Sequence, residues 1–414
     1  MDIFARDFGT VADGKTLNTK ALQNAIDEAA KCGGRVILES GVYKTGTIWL
    51  RDHVELHLER GAILLCSENP DDLPTLPDYK SASAIDMPLK SGKSLIIADG
   101  IEGAALTGGG TVDMSGDKYY EPKTGEFEGW SYKRKNDDMP RFALIILGAR
   151  NFLLEGVTFL NIPSACWTLW VNGSDIVNIR FVKILAKLEV PHCDGIHINC
   201  SSDVTVSDCT VKTGDDCLIV RANASALPEN KPCERVTVTN CSLTSYSGAI
   251  RVGWVRDGVI RNCSFSNLVM TDTTCGIDIF IPADYPECGD RGREDTLVEN
   301  LSFTNIIMDE IYGKPVKIHV VESEDTHVEA VRNLTFSGIR ATALEFPLVL
   351  GKSDHPVENV VFANCQFTKT KEEAFPKPLK FHGAAAWSAA KHTAGDMVTN
   401  AKNIVFDNTS FTKV

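Results

Sequence analysis

The chain has 414 residues, of which 43% are hydrophobic and 23% charged, the composition of an ordinary soluble globular protein. Its formal net charge of −13 argues against a nucleic-acid backbone as a partner and provides no basic patch for an anionic membrane, although a few local Arg or Lys residues could still bind an acidic sugar. No stretch approaches the length of a membrane span.

The start of the chain and its cysteines bear on location. Residues 1–6 lead straight into fold-like sequence, without the apolar run of a signal peptide. The thirteen cysteines are an odd number without paired spacings, which favours free thiols in a reducing compartment. We therefore expect a cytoplasmic protein, with an export signal trimmed from this chain as the alternative.

The first predicted element is an amphipathic helix over residues 19–32, whose apolar residues recur at helical spacing and which is followed by a Gly-Gly pair. Short strands are predicted at residues 35–38, 42–45, 54–58 and 62–65. In a stack of such strands the helix would cover the open end, whose unpaired edge would otherwise invite aggregation. Residues 1–34 are therefore expected to form an N-terminal cap.

From about residue 94 a recurrent unit determines the predicted fold. Alternating Val or Ile positions lead to an Asn or Asp and then to a second short apolar strand, as in residues 204–211 and 236–243. The unit recurs at roughly 23 to 40 residues, the range of solenoid repeats. A sandwich would also show alternation, but not near-identical units in series. The sequence predicts an all-β fold, a right-handed parallel β-helix, as one solenoid domain over residues 1–414.

Two segments depart from the repeat and are predicted to be inserted loops, at about residues 114–141 and 369–400. The first is polar and aromatic, and the second includes His382 and Trp387. Long loops on a solenoid usually line its binding face. For the second segment, plain surface decoration explains the sequence equally well.

Two short motifs point to chemistry, HCDGIH at 192–197 and GDDC at 214–217. They place Asp194, Asp215 and Asp216 within one stretch of 23 residues. The sequence of this stretch is typical of β-strands, in which aspartate is rare. Each motif alone is also typical of a turn. Asp194 and Asp215 are 21 positions apart, however, about one coil of a solenoid, so the motifs should stack on neighbouring rungs. Converging carboxylates suit glycoside hydrolysis, in which one protonates the leaving oxygen and another activates water.

Both motifs require the backbone to bend. Strict alternation would put Asp194 on the same side as Ile196 and Ile198. The alternation must therefore be interrupted near Gly195 if the carboxylate is to face outward while the isoleucines face the core. Adjacent strand residues point to opposite faces, so Gly214 is expected to supply the bend that lets both aspartates after it face outward.

With these motifs the chain resembles the polygalacturonase family, glycoside hydrolase family 28, which is built on a right-handed parallel β-helix. The resemblance runs from the start of the chain to at least residue 340. Besides the two aspartate motifs it includes GTIWL at 46–50, GGGTVD at 108–113 and PSACWT at 163–168.

The resemblance implies a role for each aspartate. Asp215 would be the general acid, while Asp194 and Asp216 would hold and activate the water. The family inverts the anomeric centre, which agrees with carboxyl groups roughly 6.5 to 9.5 Å apart that leave room for a water. The resemblance implies no metal and no cofactor. Clustering is expected to raise the pKa of Asp215 toward neutrality, so that it stays protonated while its neighbours ionise.

The substrate-binding motifs of the family are altered. His192 stands where the family usually has Asn, and Tyr246 begins the segment that lacks its Gly-His-Gly. Asp278 and Phe280 stand where the family has the Arg-x-Lys that holds the substrate carboxylate. An Asp and a Phe cannot bind a carboxylate, so the residues that recognise galacturonate in the family are not matched here. The hydrolytic residues, in contrast, do match the family.

Two hypotheses follow for the sugar at the cleavage site. In the first, the sugar is neutral or deoxy, with Asp278 accepting hydrogen bonds from its hydroxyls and Phe280 offering an apolar face. In the second, Arg221 or, with better placement, Arg251 takes over the carboxylate, because a guanidinium suits planar bidentate pairing. His192 either replaces the missing histidine or is a plain surface residue. The candidate substrate-binding residues are His192, Arg221, Tyr246, Arg251, Asp278 and Phe280.

The sequence thus predicts an inverting glycoside hydrolase that acts on pectin-derived or related plant oligosaccharides. The expected cytoplasmic location favours imported oligosaccharides and hence exo action. The rivals are a polysaccharide lyase or sugar transferase on the same scaffold, the lyase with calcium-binding aspartates, and a non-catalytic carbohydrate-binding β-helix, which would not need the three aspartates together. The oligomeric state stays open, because solenoids occur alone and as trimers.

Overall fold

The computed structural model describes residues 1–74, 92–125, 129–136, 138–284, 295–377 and 397–414. Within these ranges the chain winds into coils, and the strands of each coil pair in parallel with the corresponding strands of the next coil. The alternating sequence explains this arrangement, because each strand sends one face into a core shared by all coils. The fold is the right-handed parallel β-helix predicted from the sequence. Its description as one domain stays a prediction.

Three long parallel sheets run along the helix, and a full coil contributes one strand to each. Sheet 1 contains Asp2–Phe4, Arg35–Leu38, Glu55–Leu58, Ala105–Gly108, Arg150–Glu155, Asp175–Arg180, Ser202–Ser207, Cys233–Thr239, Val357–Ala363 and Ala401–Asp407. Sheet 2 contains Asp13–Leu17, Gly41–Thr45, Ala62–Cys66, Thr111–Asp113, Thr158–Leu160, Lys183–Leu185, Thr210–Thr213, Ser242–Ser245, Gln366–Lys369 and Ser410–Lys413. Sheets 1 and 2 share three long, bent strands, Val259–Thr273, Thr296–Ile311 and Val328–Ala343.

Sheet 3 forms the remaining side of the coil. Its strands are Ile48–Trp49, Ser94–Asp99, Phe142–Leu147, Trp167–Asn172, Asp194–Asn199, Leu218–Arg221, Gly248–Val252, Cys275–Ile281, Val316–Val320, Leu348–Leu350 and Val398–Thr399. Short 3-10 helices lie at Ala5–Phe8, Pro70–Asp72, Gly116–Lys118, Ala224–Ala226 and Glu372–Ala374. The four early strands predicted from the sequence agree with the structure to within one residue at either end.

The α-helix Thr19–Ala29 packs on the first coil, as predicted for the N-terminal cap. Its buried face consists of Leu22, Ala25, Ile26 and Ala29. The helix ends three residues before the predicted Cys32. The chain turns there instead, and Gly33 adopts a left-handed φ of +67°, which glycine reaches without steric cost.

Aromatic rings stack along the core from coil to coil. Phe265, Phe303, Phe336 and Phe362 form one column, with ring centroids 4.7, 5.0 and 4.8 Å apart in succession. All four side chains are fully buried. Equivalent positions of the repeat therefore meet in space, which aligns the rungs with one another.

Asparagines at the corners of the coils form a second column. Asn262, Asn300, Asn333, Asn359 and Asn403 all adopt left-handed φ values between +54° and +58°. The side-chain amide of each of the last four donates to the side-chain oxygen of the asparagine one coil earlier, at 3.2, 3.1, 3.0 and 3.0 Å in succession. Asparagine suits this place because it tolerates the left-handed region and supplies both a donor and an acceptor.

The first inserted loop carries an antiparallel hairpin, Tyr120–Pro122 with Tyr132–Arg134. Of the second predicted loop the structure describes 369–377 and 397–400, while His382 and Trp387 lie outside the described residues.

The asparagine column generates a stability prediction. Asn333→Ala removes the ladder hydrogen bonds and forces Ala into a left-handed backbone, which costs roughly 1–2 kcal/mol, whereas Asn333→Gly removes the same hydrogen bonds without that strain. We expect the Ala variant to unfold in urea at a clearly lower midpoint than the Gly variant. Equal midpoints would show that the backbone conformation is not what this position requires.

Candidate active site

The three aspartates lie together on the outer face of sheet 3. Asp194 begins one strand of this sheet, and Asp215 and Asp216 precede the next, from which Cys217 separates them. The N–H of Asp215 donates to the carbonyl of Cys193 at 3.2 Å, and the N–H of Gly195 donates to the carbonyl of Asp216 at 2.9 Å. The two motifs are therefore neighbouring rungs, as their spacing predicted.

Two glycines allow the backbone to bend at these motifs. A Cβ on Gly214 would lie 1.9 Å, and one on Gly195 2.3 Å, from a backbone oxygen of a neighbouring chain segment. The break in alternation predicted near Gly195 is present, because the Asp194 carboxylate faces His197 on the outer side while Ile196 lies in the core. Only glycine fits at either position without moving the backbone.

Asp194 is the aspartate with the most strongly raised pKa. Its Oδ2 lies 2.7 Å from Nε2 of His197, whose ring stacks on Trp167 with centroids 3.7 Å apart. Burial raises the pKa of Asp194 well above its usual range, and the two other aspartates raise it further. Burial and two nearby arginines lower the pKa of His197, so a neutral imidazole faces a carboxyl group that tends to keep its proton. His197 is not among the predicted site residues, although it stands in the same motif as Asp194.

Asp215 contacts an exposed histidine, whereas the histidine beside Asp194 is buried. Its Oδ2 lies 3.1 Å from Nδ1 of His192, a half-exposed residue with a left-handed φ of +54°. Burial alone would raise the pKa of Asp215, but the hydrogen bond and charge of His192, with the charge of Arg251, lower it below its usual value. The predicted rise in the pKa of Asp215 is therefore wrong for the free protein. The strongly raised pKa belongs to Asp194, which is buried beside the two other aspartates.

Asp216 is held by a largely buried arginine, Arg251. Its carboxylate accepts hydrogen bonds from Nε of Arg251 and, at 2.7 Å, from the N–H of Gly248. Burial raises the pKa of Asp216, and the charge of Arg251 opposes that rise. Arg251 also reaches the next rung, where its Nη1 lies 3.1 Å from Oδ2 of Asp278.

Asp278 lies between two cations. Besides Arg251 it contacts Lys317, whose Nζ lies 3.1 Å from its Oδ1. Burial would raise the pKa of Asp278, but the charges of Lys317 and Arg251 lower it below its usual value. Asp216, Arg251, Asp278 and Lys317 thus form a row of alternating charges, which we call the ion row. Lys317 escaped prediction, since its only sequence signal is a lysine inside an apolar strand.

Two aromatic rings border the ion row. The ammonium of Lys317 lies 4.3 Å from the ring centroid of Phe280, and the guanidinium of Arg251 lies 5.0 Å from that of Trp254. Phe280 and Trp254 meet edge to face at 5.4 Å. Attraction between the cations and the rings adds to the ion pairs. The predicted residues Arg251, Asp278 and Phe280 therefore do lie together beside the aspartates.

Arg221 ends the strand that follows Asp216 and is also paired. Its Nε and Nη2 donate to the two carboxylate oxygens of the fully buried Asp257 at 2.6 and 2.7 Å. A narrow recess in the cleft is lined by Trp167, Trp170, His197, Asn199, Arg221, Asn223 and Ser225. Arg221 thus takes part in the wall of the cleft while its guanidinium holds an internal carboxylate.

Tyr246 is buried rather than presented to the cleft. Its hydroxyl accepts a hydrogen bond from Nζ of Lys377 at 2.9 Å, and that ammonium also contacts Asp272 at 2.5 Å. Tyr246 is 2% exposed. The hydroxyl therefore contacts the second inserted loop through Lys377.

The first inserted loop borders the site. Nε1 of Trp130 donates to the carbonyl of Gly214 at 2.5 Å, and its ring lies 5.1 Å from that of His192. Trp130 therefore fixes both the turn that carries Asp215 and the histidine that contacts it.

The described residues contain no group of three or more His, Cys, Asp or Glu side chains arranged to hold a metal ion. None of the helices in the described ranges is long and apolar enough to cross a membrane.

Comparison with known proteins gives three findings. The sequence pattern described as Glycosyl hydrolases family 28 matches residues 80–380. A probable polygalacturonase of Vitis vinifera is 28% identical over 284 residues, which cover 66% of this chain and 55% of that protein. The exo-poly-alpha-D-galacturonosidase of Dickeya chrysanthemi is 24% identical over 309 residues, which cover 65% of this chain and 50% of that protein. The chain spans about half the length of these relatives.

A solved structure supports the fold independently. The Family 28 exopolygalacturonase of Yersinia enterocolitica matches with a TM-score of 0.70 and 21% identity, over 100% of this chain and 78% of that one. At this identity the likeness concerns the fold alone.

The ion row generates a prediction for Arg251. Arg251→Met leaves the buried carboxylate of Asp216 without its cation and that of Asp278 with Lys317 alone, and we expect it to lower the free energy of unfolding by about 3–5 kcal/mol at neutral pH. Burial already raises the pKa of Asp216, and without Arg251 it rises further above that of the unfolded chain, so the loss should shrink as the pH falls and Asp216 takes up a proton.

Urea unfolding at neutral and mildly acidic pH measures both effects. The matched control is Arg235→Met, which removes an exposed arginine paired with Asp203 and should cost about 0–1 kcal/mol. Equal losses for the two variants, or a loss at Arg251 that grows in acid, would contradict this account.

Proposed function

Since the chain belongs to glycosyl hydrolases family 28, we propose that it is an inverting glycoside hydrolase acting on pectin-derived or related oligosaccharides. The observation that carries the proposal is the convergence of Asp194, Asp215 and Asp216 on two neighbouring rungs with pKa values shifted in different directions. Carboxyl groups whose environments separate their pKa values are what acid–base catalysis needs.

In the proposed reaction Asp215 is the general acid. Its side chain is 15% exposed, against 10% for Asp194 and 7% for Asp216, so a leaving oxygen reaches it most readily. A sugar bound over Asp215 excludes water, and this added burial raises the pKa of Asp215. The proton that Asp194 tends to keep in the free protein then passes to Asp215, because the clustered carboxylates do not all ionise together.

The ionised Asp194 then accepts a proton from the attacking water. The water oxygen bonds to the anomeric carbon, the glycosidic C–O bond breaks, and the proton of Asp215 goes to the leaving oxygen. Asp216 stays charged beside Arg251 and helps to hold the water. A base with a raised pKa suits this task, since proton transfer is most efficient when the pKa lies near the working pH.

Exo action on the substrate chain and a cytoplasmic location of the protein are further proposals. An exo-acting enzyme is supported by the aromatic loop that packs Trp130 against the turn before Asp215, on one side of the aspartates. Two relatives named above are described as exo-acting on galacturonides.

A cytoplasmic location is supported by the cysteines, since the twelve in the described ranges are free thiols and all but Cys32 are buried.

Removal of the proposed acid tests the function. Asp215→Asn should lower kcat on pectic oligosaccharides by about 10²- to 10⁴-fold, because the amide cannot protonate the leaving oxygen. Product analysis by mass spectrometry measures the loss. Asp203→Asn, which removes a salt-bridged carboxylate on sheet 1, is the matched control and should keep wild-type activity.

Other outcomes would identify the rivals. An unsaturated product that absorbs in the ultraviolet, or a calcium requirement, would indicate a lyase. Binding without any cleavage by the wild type would indicate a carbohydrate-binding module.

His192 should control the ionisation of Asp215. Its Nδ1 contact lowers the pKa of Asp215, so His192→Gln should raise that pKa and let the acid keep its proton to higher pH. We expect the alkaline limb of the pH profile of kcat/KM to move upward. His355→Gln, at a surface histidine paired with Asp354, is the control. An unchanged profile for His192→Gln would mean that this residue is a plain surface histidine.

A further inference from the structure

We propose that Asp278 makes the cleft selective for a sugar whose C5 substituent is uncharged. Such a sugar is a neutral or deoxy sugar, or a methyl-esterified uronate, rather than a free uronate. The inference rests on the proposed function, since it names the substrate class of the same site. It favours the first of the two hypotheses that the sequence left open.

Asp278 occupies the middle of the ion row. Its strand pairs with those of Arg251 and Lys317, and the three residues lie directly opposite one another in register. The carboxylate lies 3.1 Å from Nη1 of Arg251 and 3.1 Å from Nζ of Lys317. Asp278 is only 3% exposed, so it is a fixed internal counter-ion for both cations.

A carboxylate of the protein thus stands between the two cations that a substrate carboxylate would need. Arg251 also donates to Asp216, and Arg221 is bound through two hydrogen bonds by Asp257. Redirecting Arg251 or Arg221 to a substrate would take the cation from a buried carboxylate, Asp216 or Asp257, and redirecting Lys317 would take one of the two cations from Asp278. Each loss is strongly unfavourable.

Charge repulsion acts in the same direction. A uronate beside Asp278 would bring a further negative charge toward Asp215 and Asp216 as well. Like charges oppose one another most strongly where water is excluded. An uncharged substituent meets no such repulsion, and electrostatic mismatch of this kind sets specificity between partners of similar shape.

The surroundings of the ion row suit an apolar group. Phe280 follows Asp278 by two residues on the same face of its strand, and Trp254 meets its ring at 5.4 Å. Aromatic rings pack well against a methyl group or the C–H face of a sugar.

Ligand binding tests the proposal without cleavage. Calorimetry in the Asp215→Asn background compares trigalacturonate, its methyl ester and an α-1,4-linked galactose trisaccharide. We expect at least one uncharged ligand to bind about tenfold or more tighter than the free acid. Preference for the ester alone identifies an esterified uronate, and preference for both identifies a neutral substituent in general. Equal or tighter binding of the free acid, or binding of none of the three, would overturn the proposal.

Substitution of Asp278 tests its role directly. Asp278→Asn leaves Arg251 and Lys317 with one internal carboxylate fewer, so the affinity for the free acid relative to its ester should rise by about tenfold. Asp203→Asn, a salt-bridged aspartate on sheet 1, should leave the ratio unchanged. An unchanged ratio in Asp278→Asn would overturn the assignment. If that variant does not fold, Asp278→Ser serves in its place, and the wild-type comparison decides independently.

The specificity and the hydrolytic function fail in different ways. If the ligands show the expected preference but the wild type cleaves none of them, hydrolysis is contradicted and the specificity stands. If the wild type cleaves the free acid better than the ester, the specificity is contradicted and hydrolysis stands.

Discussion

One buried guanidinium, that of Arg251, holds carboxylates from two different rungs of sheet 3. It donates to Asp216 on one side and lies against Asp278 on the other, while Lys317 neutralises the far side of Asp278. A buried carboxylate without a cation would be protonated or would destabilise the fold, so this arrangement is what lets the floor of the cleft keep charged groups out of water. The electrostatics of Asp215 and Asp194 depend on it as well, since the charge of Arg251 helps to lower the pKa of Asp215 and limits the rise in the pKa of Asp194.

The parallel β-helix makes such a row possible. Neighbouring strands lie about 4.8 Å apart, so equivalent positions on successive rungs are within reach of one another's side chains. The phenylalanine column and the asparagine column keep the rungs in register along the core and the corner. The same stacking that aligns apolar residues inside aligns charged residues outside, and a single substitution on the outer face therefore changes the partners of two neighbouring rungs.

Much of the fold could be predicted because each coil repeats a similar pattern of residues in the sequence. Alternation gave the strands, and the spacing of 21 positions placed Asp194 and Asp215 on adjacent rungs. What could not be predicted depends on contacts between distant segments. The pKa of Asp215 is lowered by a histidine 23 positions away, Tyr246 is buried against a lysine 131 positions away, and Lys317 joins the site from 39 positions beyond Asp278. The residues that neighbour a position in the sequence do not indicate which distant side chain it will contact.

The central claim is that the three aspartates hydrolyse a glycosidic bond by direct attack of water. Proton NMR of the anomeric signals, followed from the first appearance of product with an α-linked pectic oligosaccharide, tests it most directly. Because direct attack of water inverts the anomeric centre, we expect the newly formed reducing end to appear first as the β-anomer and to equilibrate only later. A product that appears first as the α-anomer, or one that carries an unsaturated ring, would contradict it.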